Sequence, residues 1–188
     1  MNTALLVLRV VPGVLLIGHG LQKLVPARFS PPLLHANGLR ATGAGFEQIG
    51  IQPGVAAALL AGLSEVIGGF SLGAGLLTPV GTILVGAVMT TAILTAHARN
   101  GIWNHEGGFE FPLLLLALGF VISALGAGTY SINHWLGVSN WAGIQWAMSD
   151  VARSAIVLAI GVGAGLGTVL AGYVTRSTPA RPGVPATS

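Results

Sequence analysis

A few ionisable residues interrupt the apolar runs of this sequence, and their types and spacing could support proton transfer. His19 and Lys23 are four residues apart near the end of the first run, so a helix places both side chains on one face. Glu65 lies near the middle of the second run, where a charged side chain costs at least about 2.5–3.5 kcal/mol on insertion into a bilayer. We therefore expect Glu65 to be protonated or paired, with Arg9, His19 or a ligand as its partner.

Purely structural roles are the alternative for these residues. Lys23 alone would extend its ammonium group to the lipid headgroups. His19 would be a neutral histidine bonded to the backbone of a neighbouring helix, and Glu65 a neutral acid tolerated in the packing. The functional interpretation assigns His19 and Glu65 to catalysis by proton transfer and Lys23 to ligand binding.

A short polar loop separates the third and fourth apolar runs. Its polar side chains include those of His97, Arg99, Asn100, His105, Glu106 and Glu110. A solvated loop explains His105 and Glu106 on their own, and Glu110 also favours the start of a following helix through the helix dipole. However, the chain topology brings this loop to the same end of a bundle as the histidine and lysine of the first run. That convergence predicts one polar site built from three helices.

The composition predicts an integral membrane protein. Of the 188 residues, 53% are apolar and 7% are charged, whereas soluble domains carry about 25% charged residues. The eight Lys and Arg residues form no basic cluster, so nucleic acid is not an expected partner. Because the chain has no cysteine, disulfides, thiolate catalysis and iron–sulfur clusters are excluded for it. Electron transfer would need a bound cofactor or a partner protein.

Five apolar runs are long enough to cross a bilayer, which needs about 20 residues. They cover residues 4–24, 54–77, 80–98, 111–128 and 151–174. The loop between the first two runs is rich in Pro and Gly and is expected to include a short interfacial helix. Between the last two runs, Tyr130 and three tryptophans favour the membrane interface. The chain is therefore predicted to be an all-α integral membrane protein embedded in the lipid bilayer.

Glycine and basic residues predict helix packing and orientation. Gly69 with Gly73 and Gly161 with Gly165 have the spacing of close helix contacts, within the chain or in a homo-oligomer. An excess of Lys and Arg marks the cytoplasmic side of a membrane. With five spans, the basic residues on the richer side are Lys23, Arg28, Arg40, Arg99, Arg176 and Arg181. The amino terminus is then outside and the carboxyl terminus cytoplasmic.

No metal site is predicted. The metal-ligating types near the predicted site are His19, Glu65, His97, Glu106 and Glu110. They lack the Glu-x-x-His spacing of di-iron bundles and the His-Glu-x-x-His spacing of zinc proteases. A serine hydrolase is not expected either, because no Gly-x-Ser-x-Gly motif occurs.

At these residues the chain resembles the DoxX family of small bacterial and archaeal membrane proteins. The matching elements are Leu8-Arg9, residues 19–24, residues 62–65, Gly68-Gly69, residues 75–78 and residues 97–112. Their order and spacing carry the resemblance, which covers about residues 4–134. It implies a four-transmembrane-helix bundle in residues 1–134. An interfacial aromatic segment and one additional transmembrane helix follow in 135–174, and residues 175–188 are predicted to be a disordered tail.

The resemblance also implies a site and an activity. Carried over by position, the site residues are Arg9, His19, Lys23, Glu65, His97, Asn100, Glu106 and Glu110. Some DoxX relatives belong to thiosulfate:quinone oxidoreductases, and others are linked to membrane oxidoreductase assemblies in sulfur metabolism and oxidative-stress defence. A quinone is therefore the expected cofactor, with its oxygens bonded by His19 and Glu65. Lys23 and Arg99 would hold an anionic donor such as thiosulfate.

Two other functions also fit the sequence. The protein could be a non-catalytic membrane anchor for soluble redox enzymes, which would dock on the loop around Trp103 and on the basic residues near it. It could instead carry a small solute or protons, with Glu65 as the proton site inside the membrane.

Overall fold

Residues 2–147 and 150–177 are described by the computed structural model, and their regular structure is helical throughout, with no strand among them. The helices are α1 Asn2–Leu24, α2 Gly38–Gln48, α3 Gly54–Ala74, α4 Thr78–Ala92, α5 Glu110–Leu125, α6 Ile132–Trp135, α7 Ala142–Ala147 and α8 Val151–Ser177. A π-helical turn, Ile93–His97, and a 3₁₀ turn, Ala98–Asn100, extend α4. α8 includes the first three residues of the tail predicted for 175–188, and residues 178–188 lie outside the described residues.

Four helices are long and apolar enough to cross a bilayer. They are α1, α3, α4 with its extension to Asn100, and α8 as far as Tyr173. α5 is shorter, with 16 residues, which corresponds to about 24 Å against a hydrocarbon core of about 30 Å. The prediction of an all-α integral membrane protein is confirmed.

Four of the helices pack as a ring around one apolar core. α1 packs against α3, α3 against α4, α4 against α5 and α5 against α1, while α8 lies outside the ring on α4 and α5. The buried core side chains are those of Leu16, Leu72, Val85, Met89, Leu115 and Ile122. The predicted four-helix bundle with one additional carboxyl-terminal helix is therefore also confirmed.

Glycines let the helix backbones approach closely at the α1–α3 and α4–α8 interfaces, among others. A Cβ atom added to Gly13 of α1 would lie 2.7 Å from the carbonyl oxygen of Gly69 in α3. A Cβ atom added to Gly161 of α8 would lie 2.6 Å from the carbonyl oxygen of Ile83 in α4, and Gly165 approaches α4 in the same way. A side chain at these points would force the helix backbones apart, which is why small residues are common at the interfaces of membrane helices. The packing role predicted for Gly69, Gly161 and Gly165 is confirmed within the chain.

Gly161→Ala is expected to lower the thermal stability of the protein in detergent. The added methyl group would meet the backbone of α4, and overpacking typically costs about 1–3 kcal/mol. Gly163 is the matched control, because a Cβ atom there meets nothing within 4 Å and alanine favours a helix over glycine by about 0.5–1 kcal/mol. The unfolding midpoint measured by circular dichroism should fall for Gly161→Ala and not for Gly163→Ala. Equal midpoints would show that α8 does not depend on this close approach.

Candidate functional site

An ion pair joins α1 to α3 inside the membrane-spanning part of the bundle. The Nζ of Lys23 donates to Oε2 of Glu65 over 2.6 Å and to the carbonyl oxygen of His19 over 3.2 Å. The side chain of Glu65 is 6% exposed and that of Lys23 is 21% exposed. Glu65 is therefore paired as expected, but the expectation of Arg9 or His19 as its partner is wrong. Gly20 packs directly on α3, and this close contact brings the lysine of the next helical turn to the carboxylate.

A cavity of about 580 Å³ lies beside the ion pair. Its polar lining residues include His19, Lys23, Ser64, Glu65, Thr91, Thr95 and His97. The remaining walls are mostly apolar and come from α2, α3, α4, α5 and α8. The ring of His19, which is exposed, lies 5.7 Å from the ring of Phe111 in α5. Polar residues from α1, α3 and the end of α4 therefore converge at one end of the bundle.

The cavity exists because α3 and α4 are close together at one end and apart at the other. Near the turn that joins them, a Cβ atom added to Gly81 of α4 would lie 2.6 Å from Oγ of Ser71 in α3. At the other end, the cavity separates the two helices, with Ala61 on one wall and Thr91 on another. α2 and α8 complete the walls from outside the ring.

The loop between α4 and α5 is held mainly by its own hydrogen bonds. Nδ1 of His97 lies 2.8 Å from the carbonyl oxygen of Gly107, and Nδ2 of Asn100 donates to the same oxygen over 3.2 Å. Oε2 of Glu110 accepts a hydrogen bond from the backbone N–H of Asn104 over 3.0 Å. These three predicted site residues shape the loop, and His97 lines the cavity as well.

The other polar residues of this region lie at the surface or in a second cavity. The side chains of His105 and Glu106 are 78% and 59% exposed and lie 3.9 Å apart. Arg99 is also exposed and lines an adjoining, more polar cavity of about 570 Å³. Other polar residues of that cavity are Glu47, Gln48, Gln52, Asn100 and Tyr173. The two cavities share eight lining residues, among them Ile51, Thr95 and Thr168, so they adjoin each other at the same end of the bundle.

Arg9 lies at the opposite end of α1, about 21 Å along the helix from Lys23. It is 1% exposed, and its guanidinium group donates to the carbonyl oxygen of Gly73 over 3.2 Å and to that of Tyr130 over 2.6 Å. These bonds tie α1 to the end of α3 and to the segment between α5 and α6. The structure therefore does not bring Arg9 to the cavity with the other predicted site residues.

Several cavity residues were missed by the sequence analysis. Thr91 and Thr95 are four residues apart on α4 and its extension, a helical spacing that was available as a signal. Their Oγ1 atoms donate to backbone oxygens one turn earlier, over 2.9 and 2.7 Å, so these hydroxyl groups are satisfied within the helix. By contrast, Phe46 of α2 and Thr168 of α8 reach the cavity through tertiary packing, which no local pattern indicates.

The polar end of the cavity can bind a ligand through hydrogen bonds. A lysine ammonium group has three N–H donors, and Lys23 uses two of them in its contacts with Glu65 and His19. Oε1 of Glu65 makes no hydrogen bond to any residue of the described ranges, so it can accept one from a ligand. In the same ranges, no group of three or more His, Asp or Glu residues could hold a metal ion. The arrangement suits an apolar molecule that carries carbonyl or hydroxyl oxygens at one end.

The helices define a small multi-pass membrane protein, with an ion pair and a cavity at one end of its bundle. Comparison with protein-family models matches residues 4–98 to DoxX. The match covers half of the chain, and the protein belongs to the DoxX family. It includes α1 to α4 and ends just after His97, so α5 and α8 lie beyond it. No curated protein and no solved structure matched the chain.

Lys23→Met is expected to destabilise the protein because Glu65 would lose its counter-charge. A buried polar group without its partner costs about 1–3 kcal/mol, and a charged group costs more. The double variant Lys23→Met with Glu65→Gln removes both charges and should recover most of the lost stability. Unfolding midpoints of the wild type, both single variants and the double variant form the test. A double variant whose loss is the sum of the single losses would show that the two residues are not coupled.

Proposed function

We propose that the protein is a quinone-linked membrane oxidoreductase, or the membrane subunit of such an enzyme. The observation that carries this proposal is the Lys23–Glu65 ion pair, which faces an apolar cavity of about 580 Å³ between membrane-spanning helices. Ionisable groups within a membrane are expensive and usually belong to a functional site. A ligand with an apolar body and oxygen atoms at one end would complement both parts of this cavity.

A quinone fits the residues of the cavity. Cavities of about 300–1,000 Å³ hold small ligands and cofactors, mostly through apolar contacts with a few polar groups that set the orientation. Leu60, Met89 and Leu115 are among the apolar lining residues, and the ion pair supplies the polar groups. When bound, a quinone would accept two electrons and two protons.

The polar residues then have roles that follow from their positions. The remaining N–H of Lys23 would donate to a carbonyl oxygen of the ligand, and the carboxyl group of Glu65 would hold or release a proton beside it. His19 lines the cavity one helical turn before Lys23, so its imidazole would exchange protons with the ligand beside the ion pair. His97 would support the loop that borders the cavity, through its bond to Gly107.

A soluble sulfur oxyanion such as thiosulfate, or a partner protein, is the proposed electron donor. The chain has no cysteine that could carry a sulfur intermediate. Two thiosulfate anions that join through a new S–S bond would release the two electrons required. Arg99 in the adjoining polar cavity provides a positive charge for such an anion. The basic residues at this end of the bundle favour a cytoplasmic location for this end, with the amino terminus outside.

Protein purified in mild detergent from a quinone-producing host is expected to retain quinone that mass spectrometry detects after solvent extraction. Glu65→Gln removes the carboxylate and should lower the bound quinone about tenfold at limiting quinone, which corresponds to about 1.4 kcal/mol in affinity. Asp150→Asn is the matched acid-to-amide control at an exposed position. Asp150 accepts from the backbone N–H of Arg153 over 2.8 Å, a bond that asparagine can also make.

Wild-type protein without quinone would contradict the proposal, and so would equal quinone in the wild type and Glu65→Gln. The donor is tested separately, by following quinone absorbance after thiosulfate is added to the protein in nanodiscs. Arg99→Gln should raise the KM for thiosulfate and leave the bound quinone unchanged. If the protein binds quinone but thiosulfate does not reduce that quinone, we infer that a partner protein is the electron donor.

A membrane anchor for soluble redox enzymes is a second candidate function, favoured by the exposed loop between α4 and α5. Ile102 and Trp103 are 50% and 57% exposed there, and exposed aromatic residues are common in protein interfaces. Trp103→Ala should abolish co-purification of a soluble enzyme from native membranes. Trp141→Ala is the control, since Trp141 is 61% exposed in the segment before α8, at the other end of the bundle. Repeated recovery of the chain alone would remove this candidate.

A further inference from the structure

The cavity has an open side between α3 and α8. α8 packs on α4 through its glycines, and α3 packs on α1, α2 and α4, but α3 and α8 make at most marginal contact in the described ranges. Both helices nevertheless line the cavity, α3 with Ala57 and Leu60 and α8 with Thr168 and Ala171. These residues form the two rims of a gap whose floor is α4.

The rims of this gap are accessible and uncharged. Leu60 is 66% exposed, although it also lines the cavity. Thr168 on the opposite rim is exposed as well, and it lines both this cavity and the adjoining polar one. Leu63 and Leu166, which lie close by on the same two helices, are not among the cavity residues. The gap is therefore a local feature and not a general property of the lipid-facing surfaces of α3 and α8.

The gap lies at the depth of the lipid hydrocarbon. On this side of the bundle, the spans of α3 and α8 end at Gly54 and Tyr173. Leu60 is about 9 Å along α3 from Gly54, and Thr168 is about 7.5 Å along α8 from Tyr173. A soluble ion that entered here would have to cross lipid, which is unfavourable. An apolar chain that is already dissolved in the bilayer would remain in an apolar environment.

We propose that the gap between α3 and α8 is a lateral entrance that holds the isoprenoid tail of a membrane quinone while its ring occupies the cavity. The ring would reach the Lys23–Glu65 ion pair directly from the bilayer, and the tail would leave between Leu60 and Thr168. This inference rests on the proposed function and deepens it. It assigns a ligand-binding role to α8, which lies beyond the residues matched to the family.

Single introduced cysteines test this entrance, because the chain has none of its own. Leu60→Cys and Thr168→Cys would be labelled with bimane in the full-length protein in nanodiscs, and ubiquinone-10, which quenches the label, would be added to the lipid. Leu63→Cys and Leu166→Cys are the matched controls on the same helices. Ser64→Cys reports from inside the cavity, where this residue is partly buried.

Quenching at the two rim positions is expected to saturate with increasing quinone, as it does when a bound molecule occupies a site. At the two control positions it should rise linearly, as it does for collisions with free quinone in the lipid. Saturation at Ser64→Cys alone would overturn the entrance and leave the proposed function standing. Linear quenching at all five positions would overturn both, and equal saturation at rim and control positions would overturn the entrance.

Discussion

A charge within a bilayer must be compensated by a nearby partner, and the Lys23–Glu65 ion pair meets that constraint here. The side chain of Glu65 is only 6% exposed in the middle of α3, so the stability of its charge depends on the last turn of α1. Gly20 permits the close contact between the two helices that this pairing requires. The polar end of the cavity, and every role proposed for it, follows from this alignment of α1 with α3.

The cavity itself results from uneven packing. α3 and α4 approach closely at Gly81 and Ser71 and then diverge towards the ion pair. α8 contacts α4 through Gly161 and Gly165, but it does not fill the space beside α3. Small residues thus produce tight contacts at some heights of the bundle and leave a ligand-sized space at another.

The cations of Arg9 and Lys23 illustrate how the two ends of the bundle differ. Arg9 is 1% exposed and satisfies part of its guanidinium group with backbone carbonyl oxygens. Lys23 is bonded to a carboxylate beside an open cavity and keeps one donor available. The first arrangement closes and stabilises its end of the bundle. The second leaves groups that can bind a ligand and exchange protons with it.

The sequence by itself determined the membrane class, the helices and the end of the bundle at which polar residues gather. The length of an apolar run is a local property of the sequence. The end of the bundle to which a loop belongs follows from the number of membrane spans that precede it. Only the tertiary structure decided that Lys23 pairs with Glu65, that Arg9 stays at the opposite end, and that α2 and α8 supply cavity walls. Each of these outcomes depends on which distant helices meet and at what height, and that is set by backbone contacts between residues far apart in the chain.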